Sequence, residues 1–140
     1  MSEKPIVAIV DDDQSVREQV ADLVNAMGFT AKVFASAGDF LQFHETAFAA
    51  CLITDIMMPG VSGLELLEQL SASGTTVPAI VLTASTRNAD RTRARRSGVV
   101  CYLSKPFRER DLLNCIQRAV HMAQVGETLQ TRRDSDAREK

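Results

Sequence analysis

The stretch Cys51-Leu52-Ile53-Thr54-Asp55-Ile56-Met57-Met58-Pro59-Gly60-Val61-Ser62-Gly63 decides how the chain is read. A short apolar run ends on a carboxylate and breaks at once into a Pro/Gly turn, so Asp55 is expected at the C-terminal end of a buried strand. Open α/β sheets place their ligand sites at that edge. The same pattern recurs on either side. Asp11-Asp12-Asp13 follows the run Ile6-Val7-Ala8-Ile9-Val10, Thr83 follows Ile80-Val81-Leu82, and Lys105-Pro106 closes the fifth apolar segment. One fold would bring all of these to the same edge.

Outward from there, β-rich runs alternate with helix-length amphipathic segments, the signature of βαβ units on a parallel sheet. Strands are expected at residues 5–10, 30–34, 50–54, 78–82 and 99–103. Val16, Val20, Leu23, Val24 and Met27 recur at helical spacing before Gly28, which predicts a helix over 15–27. Ser36 reads as an N-cap for a second helix through Phe43. Leu64, Leu66, Leu67 and Leu70 mark a third, over 63–70, and Leu112, Leu113, Ile116, Ala119 and Val120 the last, from 109 to about 123. Between strands four and five, residues 87–97 carry five arginines and almost no apolar stripe. Alternation still asks for a helix there, and the expectation is one that is loosely packed and mobile. One domain over residues 4–122 is expected, with 123–140 a charged tail or an inter-domain linker.

The 140 residues suffice for one core. A net charge of −2 gives no overall pull toward nucleic acid or acidic membrane. No run approaches the roughly 18 apolar residues of a membrane span, and the N-terminus lacks the shape of a signal peptide. Cys51, Cys101 and Cys115 show no metal-ligand spacing and read as buried free thiols in a reducing cytoplasm. His44 and His121 read as solvent-facing helix residues.

Asp11, Asp12 and Asp55 converging on one pocket would repel one another unless a cation compensates. A hard divalent ion with oxygen ligands suits such a site, and Mg²⁺ is the natural choice. Lys105 adds a point charge and Thr83 a hydroxyl donor, so the set offers what a carboxylate nucleophile needs to attack phosphorus. Singly, each residue has a plainer role: Asp11-Asp12 as a cap and its neighbour, Thr83 as a strand-end hydroxyl, Lys105 as a solvated lysine, Met57-Met58 as packing. Their conjunction at successive strand ends is what points to chemistry.

The set Ile9-Val10-Asp11-Asp12-Asp13, Thr54-Asp55-Ile56-Met57-Met58-Pro59-Gly60, Val81-Leu82-Thr83-Ala84 and Lys105-Pro106-Phe107 closely resembles the receiver domains of two-component response regulators, over residues 4–122. The nearest style is that of the nitrogen-fixation and LuxR-type transcriptional regulators. The resemblance implies a flavodoxin-like (βα)₅ fold with strand order 2-1-3-4-5. It implies Asp55 as phosphoacceptor, and Mg²⁺ (or Mn²⁺) bound by Asp11, Asp12, Asp55 and the Met57 carbonyl. Lys105 would contact the phosphoryl oxygens, Thr83 would be the switch hydroxyl, Tyr102 the aromatic that moves with it, and Pro106 a cis-proline. Met57 and Ser85 occupy positions that resemble the family's tuners of phosphoryl lifetime. The implied partners are a sensor histidine kinase and, on phosphorylation, a second copy of the chain; the surface that switches would be the face of helix four, strand five and helix five, while the dimer face is left open. DNA would be reached only through an output domain lying outside this chain. Where the family carries small apolar residues on helix four, this chain has Arg91, Thr92 and Arg95; the helix's arginines could pair with Glu109 and Asp111 across a dimer, or form a solvated charged face.

Two other chemistries fit parts of the sequence. Asp11-Asp12-Asp13-Gln14-Ser15 is similar to the opening motif of haloacid-dehalogenase-type phosphatases, with Asp11 as nucleophile and Asp13 as acid/base, but this leaves the Asp55 loop without a role. The arginines at 87–96 could contact nucleic-acid phosphates, though no base-reading helix motif accompanies them. A receiver implies a self-phosphorylating and self-dephosphorylating switch rather than an enzyme with an external substrate.

Overall fold

The computed structural model describes residues 4–44, 49–74 and 77–123. Five parallel strands, β1 (Ile6–Val10), β2 (Thr30–Phe34), β3 (Cys51–Thr54), β4 (Ala79–Thr83) and β5 (Cys101–Ser104), lie in the order β2-β1-β3-β4-β5. Between them run α1 (Gln14–Ala26), α2 (Ala37–His44), α3 (Gly63–Ala72) and α4 (Asn88–Arg96), and residues 109–123 form α5. The architecture matches the expected doubly wound sheet. The tail expected beyond residue 123 lies outside the described residues.

Strand alternation divides the core into two layers, because successive side chains point to opposite faces. Ala8, Val10, Leu52 and Val81 face one way and pack with Phe40, Leu64, Leu67 and Ala94 of α2, α3 and α4. Val7, Ile9, Ile53, Ile80 and Leu82 face the other and pack with Val20, Val24, Leu112 and Ile116 of α1 and α5. β1, β3 and β4 are buried almost throughout, whereas β5, at the sheet edge, is half-buried.

Boundaries shift by a residue or two from the sequence expectation. Thr83 is the last residue of β4 rather than the first beyond it, and β5 begins at Cys101 rather than Val99. Val99 and Val100 are β-branched and strand-like in composition, but register pairs Ile80 with Cys101, and the two valines form the approach. α1 starts at Gln14 rather than Ser15, capped by Asp13, whose carboxylate accepts from the amides of Ser15 and Val16. α4 forms as alternation required, and Ala94 is its one buried side chain. Cys51 and Cys115 are buried as expected, but Cys101 is partly exposed because β5 is an edge strand. Met57, read singly as packing, is exposed, while Met58 packs against the core. His121 is exposed; the side chain of His44 lies outside the described residues.

Candidate functional site

Ladder hydrogen bonds continue one residue past three strand ends and hold the functional side chains on fixed backbone. The Asp11 amide donates to Phe34 O (3.1 Å), that of Asp55 to Val10 O (3.0 Å) and that of Lys105 to Thr83 O (2.8 Å). Each side chain is therefore placed by the sheet rather than by a free loop.

Asp11, Asp12 and Asp55 converge: one oxygen from each carboxylate lies within 4.8 Å of the others. Asp11 and Asp55 are buried and Asp12 is exposed at the rim. The Lys105 ammonium stands between the two buried carboxylates, 2.8 Å from Asp11 Oδ2 and 2.8 Å from Asp55 Oδ2. The remaining oxygens are also engaged. Asp11 Oδ1 accepts from the Asp13 amide and Asp55 Oδ1 from the Met57 amide, both at 2.9 Å. Arg17 Nη1 donates to the Asp11 carbonyl at 2.7 Å.

Burial pushes the Asp11 carboxyl above its ordinary range, further than the hydrogen bond from Lys105 can pull it down, and the charge of Asp55 adds to the rise. Burial also works against the Lys105 ammonium, but its hydrogen bonds to Asp11 and Asp55 outweigh that and hold its pKa above the usual lysine value. Two carboxylates sharing one ammonium remain short of positive charge. The donor set is hard oxygen throughout, with a solvent-facing carboxylate at the rim, and this fits a divalent cation of the Mg²⁺ class.

Thr83 is fully buried, and its Oγ1 accepts from the Ser85 amide at 3.2 Å. Ser85 Oγ in turn donates to Asp90 Oδ2 (2.6 Å) and accepts from the Arg87 amide (3.2 Å), tying the loop after β4 to the first turn of α4. Tyr102 lies beneath that helix, with the Arg91 guanidinium 5.1 Å from its ring centroid. Burial raises the phenol's pKa, opposed by Ser85 and reinforced by Asp90. Ser85 Oγ keeps one lone pair free beside its bonds to Asp90 and Arg87, but no hydrogen bond from the phenol closes in this geometry. Among the described residues, the Tyr102 hydroxyl is the one buried side-chain polar atom without a hydrogen-bond partner. The Lys105–Pro106 peptide is cis.

Sequence reading missed three contributors. Gly63 opens α3 so close to the loop that a Cβ would lie 2.1 Å from the Asp55 carbonyl oxygen. A glycine directly after the N-cap Ser62, where any better helix former would serve, was the available signal. Asp90 and Arg17 act across distances that periodicity does not report. On α4, Arg91 lies on Tyr102 and Arg93 pairs with Glu68 of α3.

The family model for the response regulator receiver domain matches residues 7–117. The response regulator protein TmoT of Ectopseudomonas mendocina is 35% identical over 121 residues, covering 86% of this chain and 55% of that protein. The transcriptional regulatory protein FixJ of Azorhizobium caulinodans is 33% identical over 138 residues, 99% of this chain and 63% of FixJ. The chain thus spans between half and two thirds of these relatives' length. Among solved structures, response regulator StyR superposes with a TM-score of 0.84 at 37% identity, over 97% of this chain and 68% of that one. FixJ-N gives 0.78 at 33% identity, over 86% and 96%.

Proposed function

We propose, for a chain that belongs to the response regulator receiver domain family, that Asp55 accepts a phosphoryl group and that the modification is relayed to α4, β5 and α5. The observation that carries this is the Asp55 carboxylate, buried, pinned at one oxygen by the Met57 amide and at the other by Lys105. Its orientation is set before any phosphoryl donor arrives, so little ordering is left for the reaction itself.

In the transfer, an Asp55 oxygen attacks phosphorus and the bond to the donor, a phosphohistidine nitrogen of a sensor kinase, breaks with its electron pair returning to the imidazole. Lys105 is placed to follow the phosphoryl oxygens, releasing one carboxylate contact for another anionic oxygen. Asp11, Asp12 and Asp55, with the Met57 carbonyl, would hold Mg²⁺ or Mn²⁺, which supplies neutralisation of charge around the transferring phosphoryl group. Thr83 Oγ1 has a proton to donate to a phosphoryl oxygen, and turning toward it costs the bond from the Ser85 amide. Because Ser85 is tied to Asp90, the pull reaches α4 and the ring of Tyr102. The charge and acceptor oxygens of the phosphoryl group favour the arrangement that offers them donors.

Receivers are signalling domains, and we read this one as turning over no external metabolite. Residues 4–122 form the receiver unit in this reading, with 123–140 leading toward an output domain. Similarity to FixJ extends over 99% of the chain, tail included, which supports a transcriptional output reached through that segment. A phosphorylation-dependent homodimer through α4, β5 and α5 and a cytoplasmic setting complete the proposal; no described helix is long and apolar enough to cross a membrane.

Intact mass after incubation with Mg²⁺ and acetyl phosphate tests it. One phosphoryl adduct is expected on the wild-type chain, lost with EDTA and in Asp55→Asn. An adduct that survives Asp55→Asn and disappears in Asp11→Asn would move the nucleophile to Asp11 and sink this reading.

A further inference from the structure

The three cysteines of the chain are far apart in sequence, yet all three enter the layer between the sheet and α1/α5. Cys51 is fully buried on β3 and Cys115 is buried on α5. Cys101, on edge strand β5, is partly open to solvent. Arg118 lies one helical turn after Cys115, and its Nη1 is 3.8 Å from Cys101 Sγ. Cys115 shares that side of α5, and Cys101 and Cys115 pack in the same cluster.

We propose that Cys101 and Cys115 form a thiol–disulfide pair, a redox modification site separate from the carboxylate cluster. The two thiols have unequal roles. Burial, with the neighbouring Cys101 thiol adding to it, pushes Cys115 up to about 12, and burial raises Cys51 further still. Both are poor thiolates. Cys101 is partly exposed beside the Arg118 guanidinium, so it is the thiol a dissolved oxidant reaches first. The oxidant is a hydroperoxide. The Cys101 thiolate attacks its terminal oxygen, the O–O bond breaks, and the leaving oxyanion takes a proton, so Cys101 becomes a sulfenic acid. The Cys115 sulfur then attacks the Cys101 sulfur, the S–O bond breaks, and the departing hydroxide leaves as water with the Cys115 proton. Two thiols are oxidised and one peroxide bond is reduced. The product would link the start of β5 to α5, close in sequence to Tyr102 and Lys105.

The test is hydrogen peroxide added to the reduced full chain, followed by intact mass and a non-reducing tryptic map. Expected are a loss of about 2 Da, reversed by dithiothreitol, and a link joining peptide 97–108 to peptide 111–118. Cys51→Ala should give the same link. Cys115→Ala should stop at a gain of about 16 Da on Cys101, trapped by dimedone. Arg118→Gln, a substitution at an exposed position, should slow the wild-type link at least about threefold. The wild-type map alone decides the matter if a cysteine variant fails to fold. Three free thiols after peroxide, under conditions where the urea-unfolded chain reacts, would overturn the proposal. So would a link through Cys51, or one between two chains.

Discussion

Replacing Gly63 by alanine is the sharpest test of how the Asp55 loop is held. The added Cβ would sit 2.1 Å from the Asp55 carbonyl oxygen, 2.8 Å from its carbon and 2.9 Å from Ile56 Cα. Favourable contact starts near about 3.5 Å, so the N-terminus of α3 and the Asp55 backbone must separate by roughly 1 Å. All three obstacles are backbone, so no rotamer change relieves them. The same carbonyl accepts the Thr54 hydroxyl at 3.0 Å, and that bond is strained by any retreat. Overpacking costs about 1–3 kcal/mol, and backbone obstacles place this case in the upper half. Better helix propensity returns less than about 1 kcal/mol, since Gly63 lies in the first turn. A net loss of about 2 kcal/mol is expected, read as a lower urea midpoint with unchanged slope. Displacing Asp55 by roughly 1 Å should slow phosphorylation by acetyl phosphate on the order of 100-fold. Gly74→Ala is the control: its φ of +78° costs about 1 kcal/mol but nothing crowds its Cβ, so phosphorylation should be normal. A Gly63→Ala chain within about 0.5 kcal/mol of wild type, phosphorylating at the same rate, would refute the close-approach argument.

Other outcomes follow from the same geometry. Lys105→Ala should bind Mg²⁺ roughly tenfold more tightly, because the ammonium occupies the same carboxylates, while its phosphorylation falls; calorimetry and intact mass read the two effects. Tyr102 is the sole tyrosine and there is no tryptophan, so absorbance at alkaline pH follows this phenol alone. Its midpoint should lie above 10, and the stability associated with the neutral phenol should be full below pH 10 and lost as pH rises through the folded midpoint. A midpoint at or below 10 would contradict its burial. Hydrogen exchange should open α4 at least about tenfold faster than β1, β3 and β4, since only Ala94 anchors that helix in the core; equal protection would contradict loose packing.

The strand ends were readable because each functional residue interrupts an apolar run: Asp11 after Val10, Asp55 after Thr54, Thr83 after Leu82. With Lys105 after Ser104 there are four such interruptions, and on a parallel sheet they can meet at only one edge, so fold and candidate site were legible together. What escaped the sequence needs distance. Gly63 matters through the Asp55 backbone at the other end of the same loop, the Ser85–Asp90 bond joins a loop to a helix, and the cysteines come into one cluster only once β5 and α5 are packed. The start of β5 was misplaced because composition cannot distinguish a β-branched approach from the ladder itself.

The unpartnered hydroxyl of Tyr102 carries an energetic consequence. Leaving such a group buried without a partner costs about 1–3 kcal/mol, a factor of roughly 5 to 150 in population. The ring is therefore held by apolar packing and by Arg91 against a standing penalty. Any rearrangement of the loop after β4 that brings an acceptor to the hydroxyl, from protein or water, recovers that energy. A single missing hydrogen bond thus makes the packing at the sheet edge answerable to the loop that leaves the neighbouring strand.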